Sequence, residues 1–384
     1  MTDSGRARRL SYDIDGLARI RSAVRLPELE LFRVPEVDQP DLVIERRRMV
    51  SGTPVRRALP TYVYRERLGA VTANFDVELG PPVRVLATPL LAHSPHVLYT
   101  NIVEPLLRFV IAGRGRMLLH AGCVSLFGQG ILLSAKTDTG KTATILRLLR
   151  ECRGSFLSDD MTIISPDGTA SRFPKPLTIS AHTLKAVAAS RLPAHRRAAL
   201  SVQSRLHSRS GRSVGKWLGE KPLPIMAMNS LVQALIPPPK YMVQQLVPAE
   251  MGQTVQVRRL FLIERGSPAL AAGVGRDEAV EQLLSNTADA YEFPPFKTMA
   301  PQLEIGGLDF AAVQEAERRV LTQALSSIEV VRLRVADFSW PTLVRSAVAP
   351  ADLAGPANGR LDGPQLDARR APSGRLPVPE EVQP

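Results

Sequence analysis

Apolar residues recur at two different spacings along the chain, which predicts a protein that contains both strands and helices. In residues 11–112, short runs rich in β-branched and aromatic residues are separated by Pro and Gly. Strands are predicted there at 42–44, 62–64 and 83–86. A helical spacing follows at 98–111, although Pro105 interrupts its first turn. These residues therefore predict a strand-rich N-terminal domain.

Residues 113–348 alternate between strand and helix patterns and predict a second, larger domain. Strands are predicted at 117–127, 130–134, 155–158, 161–164, 255–263 and 329–335, and helices at 181–199, 277–290 and 310–326. Another helix is predicted because Ile145, Leu148, Leu149 and Cys152 lie at i, i+3, i+4 and i+7, with Gly154 at its end. The fold class expected from this alternation is α/β.

The two ends of the chain have a different composition. Residues 1–10 are polar and predict a flexible N-terminus, while residues 349–384 are rich in Pro, Ala and Gly with isolated charges. That composition predicts a disordered tail, because such a segment cannot bury enough apolar surface to fold.

The residues between the predicted strand at 130–134 and the following helix have the spacing of a phosphate-binding loop. They are Ala135, Lys136, Thr137, Asp138, Thr139, Gly140, Lys141 and Thr142. The pattern is G-x-x-x-x-G-K-[ST] with Ala at its first position. In such a loop Gly140 permits the close approach of backbone N–H groups to phosphate, Lys141 reaches the β- and γ-phosphates, and Thr142 binds Mg²⁺. The pattern predicts a site for ATP and Mg²⁺.

Two adjacent acids, Asp159 and Asp160, follow the predicted strand at 155–158 and precede the next one. Acids between buried strands carry a large desolvation cost unless they bind a metal or accept a proton. One of them is expected to hold Mg²⁺ and the other to act as a base, and the alternative is an ordinary hairpin turn. His120 lies in the predicted strand at 117–127, and taken alone it is better explained as a satisfied core histidine.

Composition limits the other functional classes. The 384 residues have a net charge of +12, which permits contact with nucleic acid, but the basic residues are spread along the chain except in the stretch 191–221. No apolar run approaches the roughly 20 residues of a membrane span. The N-terminus has no signal peptide pattern, and Cys123 and Cys152 make no disulfide framework. A cytoplasmic location is expected.

In the order and spacing of its motifs, the segment 115–182 resembles the catalytic domain of HPr kinase/phosphorylase and its relatives, which share a fold with phosphoenolpyruvate carboxykinase. The matching stretches are HAGCVSL, GILLSAKTDTGKT and FLSDDMTII, followed by GTASRFPKPLTIS. The resemblance implies a mixed-sheet P-loop kinase core. Two features depart from the family: Ala135 replaces the first loop glycine, and the C-terminal segment associated with phosphorolysis is not recognisable.

The resemblance implies a role for each matching residue. Lys141 and Thr142 bind phosphate and Mg²⁺, Asp159 is on the metal side, Asp160 is the base, and His120 matches the active-site histidine of the family. The order of the two aspartates stays open. Further candidates for contacts with phosphate or substrate are Arg172 and Lys175, which the resemblance suggests, and Arg209 and Arg212 in the basic stretch. For these four residues an ordinary structural role is an equally good explanation.

The sequence favours a Mg·ATP-dependent kinase that phosphorylates a hydroxyl, such as a serine of a protein, a peptide or a small molecule. A P-loop ATPase or nucleotide switch without a phosphorylated product ranks second. A nucleic-acid-binding protein that uses the stretch 191–221 ranks last, because that stretch has few aromatic residues for stacking. A homo-oligomer is compatible with this sequence but is not indicated by any motif.

Overall fold

Two mixed β-sheets and the helices packed on them form the described part of the chain. The computed structural model describes residues 9–47, 59–136, 139–179, 224–235, 237 and 240–350. The predicted helix at 181–199, the basic stretch 191–221 and nearly all of the predicted tail therefore lie outside the described residues.

The first sheet is built from the N-terminal part of the chain. The strands before the first helix are β1 (Leu10–Asp13), β2 (Arg19–Ser22), β3 (Arg33–Val34), β4 (Leu42–Arg46), β5 (Thr61–Tyr64), β6 (Arg67–Leu68), β7 (Val71–Thr72), β8 (Phe75–Glu78) and β9 (Val83–Ala87). Within the described residues the sheet has the order β3-β1-β2-β4-β9-β8-β5, and β6 pairs with β7. The strands predicted at 42–44, 62–64 and 83–86 are confirmed as β4, β5 and β9.

The helical segment that follows is not one uniform α-helix. It contains α1 (Pro89–His93), α2 (Pro95–Leu98), a π-helical turn (Tyr99–Val103) and α3 (Glu104–Gly113). Pro105 has no N–H to continue the regular hydrogen-bond pattern. At this point the Glu104 N–H bonds the carbonyl of Tyr99, five residues earlier, instead of the residue four positions back. The predicted helix at 98–111 is therefore helical but is divided just before Pro105.

The second sheet carries the predicted phosphate-binding loop. Its strands are β10 (Met117–Leu119), β11 (Gly122–Leu126), β12 (Gln129–Ala135), β13 (Ser155–Ser158), β14 (Thr162–Ile164), β15 (Thr169–Ser171), β18 (Glu250–Met251), β19 (Thr254–Arg265), β20 (Leu270–Gly273) and β23 (Glu329–Val335). Two further pairs of short antiparallel strands are β16 (Leu177–Thr178) with β17 (Lys240–Tyr241) and β21 (Glu304–Ile305) with β22 (Leu308–Asp309).

The main order of this sheet in the described residues is β10-β14-β15-β19-β12-β11-β13-β18. Beside β19, β23 pairs with it in parallel, and β20 pairs with β23. Because β12 and β23 both run parallel to β19, the carboxyl ends of these three strands meet at one edge of the sheet. The predicted loop leaves β12 at that edge, which is where open α/β sheets bind ligands.

Helices cover the sheet and include the one that begins inside the predicted loop. They are α4 (Lys141–Cys152), α5 (Ile225–Leu235), α6 (Arg276–Ala290), α7 (Pro294–Met299), α8 (Phe310–Ala324) and α9 (Trp340–Val348). The predicted elements at 255–263, 277–290, 310–326 and 329–335 are confirmed as β19, α6, α8 and β23, with small shifts at their ends. The part of the chain that the structure describes contains no helix with the length and apolarity needed to cross a bilayer.

The prediction of one continuous strand at 117–127 is wrong. The chain breaks between β10 and β11, where the Ala121 N–H donates to the Leu119 carbonyl at 2.8 Å. The two pieces also have different neighbours, because β10 pairs with β14 whereas β11 pairs with β12 and β13. His120 is thus placed at a bend between strands. The turn that follows lies at Phe127 and Gly128, both with positive φ, so β12 begins one residue earlier than predicted.

The two sheets share one buried core. Ile20 and Phe75 of the N-terminal sheet belong to the same buried cluster as Ile163 and Phe173 of the second part of the chain. Helix α3 contributes most of its residues to this cluster. The N-terminal sheet and the loop-bearing sheet are therefore joined by apolar packing.

A buried ion pair fastens α3 to α8. The Arg108 guanidinium donates two hydrogen bonds of 2.6 Å to the Glu317 carboxylate, and the two side chains are only 4% and 1% exposed. The guanidinium also lies over the ring of Tyr291 at 4.9 Å from its centroid. The Glu317 carboxylate and the Tyr291 ring thus both contact this cation within the protein.

We expect Glu317→Gln to lower the free energy of unfolding by about 3 kcal/mol, because it leaves the Arg108 charge buried without its counter-ion. Urea denaturation measures this loss. The control is Glu281→Gln, which removes a carboxylate from the exposed pair with Arg318 and should change the unfolding curve far less. Equal effects of the two substitutions would contradict the prediction.

Candidate functional site

The predicted loop connects β12 directly to α4. Gly140 precedes the helix with a φ of 120°, a conformation that L-residues rarely adopt. A Cβ atom at this position would also lie 3.2 Å from the Phe338 ring. Thr139 donates from its hydroxyl to the Lys136 carbonyl at 2.7 Å. The loop thus needs glycine at 140 on conformational and on steric grounds.

The last residue of β19 and the chain that follows β23 contact this loop. The sequence did not indicate these contacts. The Arg265 guanidinium donates to the Thr139 carbonyl at 3.4 Å and lies over the Trp340 ring, 5.5 Å from its centroid. Phe338 packs edge-on against Trp340. Residues at the carboxyl end of β19 and just beyond β23 therefore lie against the end of the loop.

Lys141 is the first residue of α4, and its ammonium is buried. Nζ has no hydrogen-bond partner among the described residues. Burial lowers the pKa of Lys141, and the negative charges of Asp160 and Asp159 oppose that shift. A buried ammonium without a hydrogen-bond acceptor is costly, which is the arrangement expected of a group that awaits an anion. The N-terminus of α4 adds a favourable position for a phosphate group.

Asp159 lies beside Thr142 on the opposite side of the loop. The Thr142 hydroxyl donates to Asp159 Oδ2 at 2.8 Å, while Asp159 Oδ1 is buried and has no partner in the described structure. Burial raises the pKa of Asp159, and the Lys141 charge and the bond from Thr142 act against it. Asp159 therefore has an oxygen that is free to bind a cation.

These residues fit Mg²⁺ held jointly with a nucleotide. Among the described residues no group of three or more His, Cys, Asp or Glu is arranged to hold a metal by itself. Mg²⁺ differs from metals that need such a group, because it commonly takes one or two protein oxygens together with phosphates and water. The orphaned Asp159 Oδ1 and the Thr142 hydroxyl are the oxygens this chain offers.

Gly122 allows Asp159 to come this close to β11. A Cβ atom at Gly122 would lie 2.8 Å from the Asp159 carbonyl oxygen and would also collide with Ile145 of α4. Any larger residue here would push the aspartate strand and the helix apart. The glycine two residues after His120 is therefore required by the packing of the site.

Asp160 opens to solvent, with 48% of its side chain exposed. Lys175 Nζ donates to Asp160 Oδ2 at 2.5 Å, and His120 Nε2 lies 3.3 Å from Oδ1. His120 Nδ1 is 2.9 Å from the Asn286 backbone carbonyl, which can only accept, so Nδ1 carries a proton. With the first ring proton on Nδ1, the contact between Nε2 and the Asp160 carboxylate is attractive only when another proton forms a hydrogen bond between these two groups.

The charges around Asp160 keep it ionised. Burial would raise its pKa, but Lys175, the bond from His120 and the Lys141 charge together hold the pKa of Asp160 well below its usual range. A depressed pKa means that the carboxylate persists at every pH above that low value. Asp160 is therefore a carboxylate at neutral pH, open on one side and held by cations on the other.

Lys175 has a second partner that the sequence analysis did not identify. Its Nζ donates to Glu104 Oε2 at 2.8 Å, and Glu104 is the first residue of α3. The two carboxylates raise the pKa of Lys175 against the effect of burial. The signal that could have identified Glu104 is an acid inside the apolar run Ile-Val-Glu-Pro-Leu-Leu.

The structure brings five of the predicted residues together: Lys141, Thr142, Asp159, Asp160 and His120. Lys175 joins them through Asp160. Arg172 is directed elsewhere, because its guanidinium forms two hydrogen bonds of 2.7 and 2.9 Å with Asp15 of the N-terminal sheet. Lys136 is exposed. The predicted residues outside the described part of the chain are Thr137, Asp138, Arg209 and Arg212.

Comparison of the sequence with models of protein families and with curated proteins found no match.

Proposed function

We propose that this protein is a Mg·ATP-dependent kinase that transfers the γ-phosphoryl group to a hydroxyl, and that its second sheet is a P-loop kinase core of the HPr kinase and phosphoenolpyruvate carboxykinase type. One observation carries the proposal. A buried ammonium and a buried carboxylate oxygen, on Lys141 and Asp159, have no hydrogen-bond partner among the described residues. Both lie at the end of a strand–loop–helix unit, beside the exposed carboxylate of Asp160. The cytoplasm, where ATP is available, is the compartment we propose.

Each residue has a part in this reaction. Lys141 and the N-terminus of α4 bind the negative phosphates, and Thr142 and Asp159 would hold Mg²⁺, which neutralises charge on the phosphate oxygens when bound. The oxygen of the acceptor hydroxyl attacks the γ-phosphorus and forms the new P–O bond. The bond between the γ-phosphorus and its bridging oxygen breaks, and ADP leaves with that electron pair. Asp160 takes the proton of the hydroxyl.

His120 and Lys175 position this base. Both contact the Asp160 carboxylate, and His120 is itself held by the backbone of Asn286. A carboxylate with two fixed neighbours presents its remaining lone pairs in a defined direction, which favours proton transfer from one bound hydroxyl. Candidate acceptors are serine residues of proteins or peptides and small molecules that carry a hydroxyl.

Incubation of the full-length protein with γ-labelled Mg·ATP and cell extract tests the proposal. We expect label to enter one pool when protein, peptide, lipid and small-molecule fractions are separated. A matched incubation with Thr142→Val, which removes the hydroxyl and keeps the shape of the side chain, should leave that pool unlabelled. Absence of labelled product in every pool would contradict the kinase proposal.

The openness of Asp160 also supports a second candidate, hydrolysis of ATP by water without a phosphorylated product. The same experiment separates the two. Stoichiometric release of labelled phosphate in the absence of extract, with no acceptor labelled in its presence, would favour an ATPase or a nucleotide switch.

A further inference from the structure

The ammonium of Lys175 lies between two carboxylates that differ in their surroundings. It donates to Asp160 Oδ2 at 2.5 Å and to Glu104 Oε2 at 2.8 Å. Glu104 is only 4% exposed, whereas Asp160 opens to solvent. One side of Lys175 is thus anchored in the protein interior, and its other side faces the site.

Glu104, the residue that anchors Lys175, lies at an unusual place in the backbone. Glu104 follows the π-helical turn, and its N–H closes that turn on the carbonyl of Tyr99. Single π-helical turns occur often at functional sites, because they redirect a side chain that a regular helix would point elsewhere. Burial first and the Glu104 charge second raise the pKa of Tyr99. The backbone of Glu104 is therefore fixed by its hydrogen bond to Tyr99, while its side chain holds Lys175.

We propose that Glu104 is a positioning residue of phosphoryl transfer, which acts through Lys175 to hold the Asp160 carboxylate in place. This inference rests on the proposed kinase function. Lysine has a long and flexible side chain, so an ammonium bonded only to Asp160 would follow that exposed carboxylate as it moves. With Glu104 present the ammonium is fixed, and the carboxylate is fixed by the ammonium. Misplacement of a reacting group by about 1 Å costs on the order of 100-fold in rate.

The simpler explanation is that Glu104 only stabilises α3. The same helix offers a matched control, because Arg108 one turn later forms the buried pair with Glu317. That pair forms no hydrogen bond or ion pair with the described residues of the predicted site, yet it also fastens α3 to the rest of the protein. If Glu104 were only structural, loss of either carboxylate would have the same kind of effect.

The test uses the full-length chain and γ-labelled Mg·ATP. The acceptor is the fraction of cell extract that the wild-type protein labels. If the wild-type protein labels no fraction, release of labelled phosphate to water is measured instead. We expect Glu104→Gln to lower kcat about 10- to 100-fold and to leave the KM for ATP within about twofold, because Glu104 does not touch the nucleotide loop. Glu317→Gln, corrected for its folded fraction by urea denaturation, should keep the wild-type kcat. Lys175→Met should lose more activity than Glu104→Gln.

The double variant Glu104→Gln/Lys175→Met distinguishes action through Lys175 from an independent effect. We expect its kcat to equal that of Lys175→Met alone, since residues that act in series are not additive. Additive losses, or a Glu104→Gln variant with the wild-type kcat, overturn the proposal. If Glu104→Gln does not fold, Glu104→Asp replaces it in the same cycle with the same criteria. Wild-type protein without any ATP turnover would instead overturn the kinase function itself, before any variant is compared.

Discussion

Replacement of Asp160 by Asn should abolish phosphoryl transfer while nucleotide binding persists. We expect kcat to fall about 10²- to 10⁴-fold, the range that general-base catalysis contributes. Asn keeps the size of the side chain and can still accept from Lys175, but it has no carboxylate to take the proton of the acceptor hydroxyl. Steady-state transfer of label from γ-labelled ATP measures kcat, and titration with a fluorescent ATP analogue measures binding.

The matched control for this substitution is Asp167→Asn. Asp167 lies in the turn between β14 and β15, where its carboxylate accepts from the Thr169 N–H at 2.9 Å. An amide oxygen can replace that bond, so this variant should transfer phosphate at the wild-type rate. Unchanged transfer by the Asp160 variant would exclude Asp160 as the base and leave Asp159 as the remaining carboxylate of the pair.

Replacement of Lys141 by Ala should remove productive nucleotide binding. Within the described structure the wild-type ammonium is buried and has no hydrogen-bond partner, so the cost of its burial is offset when an anion binds. We expect kcat/KM for ATP to fall at least about 10²- to 10³-fold, as when a preorganised group that stabilises transition-state charge is removed. Thermal unfolding with and without Mg·ATP gives a second measurement, since a ligand that binds only the folded state raises its stability.

Lys297→Ala is the control for the loss of a lysine. Lys297 is exposed and pairs with Glu292 at the surface, at 2.9 Å. Its removal should leave both the nucleotide-induced rise in melting temperature and the rate unchanged. A Lys141→Ala protein that is still stabilised by Mg·ATP as much as wild type would show that the nucleotide binds elsewhere.

The parts of this structure that the sequence predicted are local. The predicted phosphate-binding loop, the helix after it and the aspartate pair depend on residues within a short stretch, where spacing alone indicates which face is buried. Thr142 and Asp159, only 17 positions apart, meet because a helix and one strand return the chain to the same edge. The long strands and helices after residue 254 were predictable for the same reason.

The parts that were missed depend on contacts between distant residues. Glu104 meets Lys175 across 71 positions, and Arg108 meets Glu317 across 209. The spacing of apolar residues does not show which strand a segment will pair with. The break at His120 was therefore not predicted from its apolar neighbours. The break arises because β10 and β11 pair with different strands. The π-helical turn could be suspected from Pro105, but its effect on Glu104 required the folded backbone.

The core shared by the two sheets has a consequence for dissecting this protein. A fragment that starts at residue 113 would carry every recognisable motif, but it would lack α3 and the strands that cover Ile163 and Phe173. Those side chains would then meet water, and Lys175 would lose one of its two counter-charges. The smallest autonomous piece of the protein is therefore larger than the segment that bears its motifs. Truncation should be planned around the N-terminal sheet, with its packing kept intact.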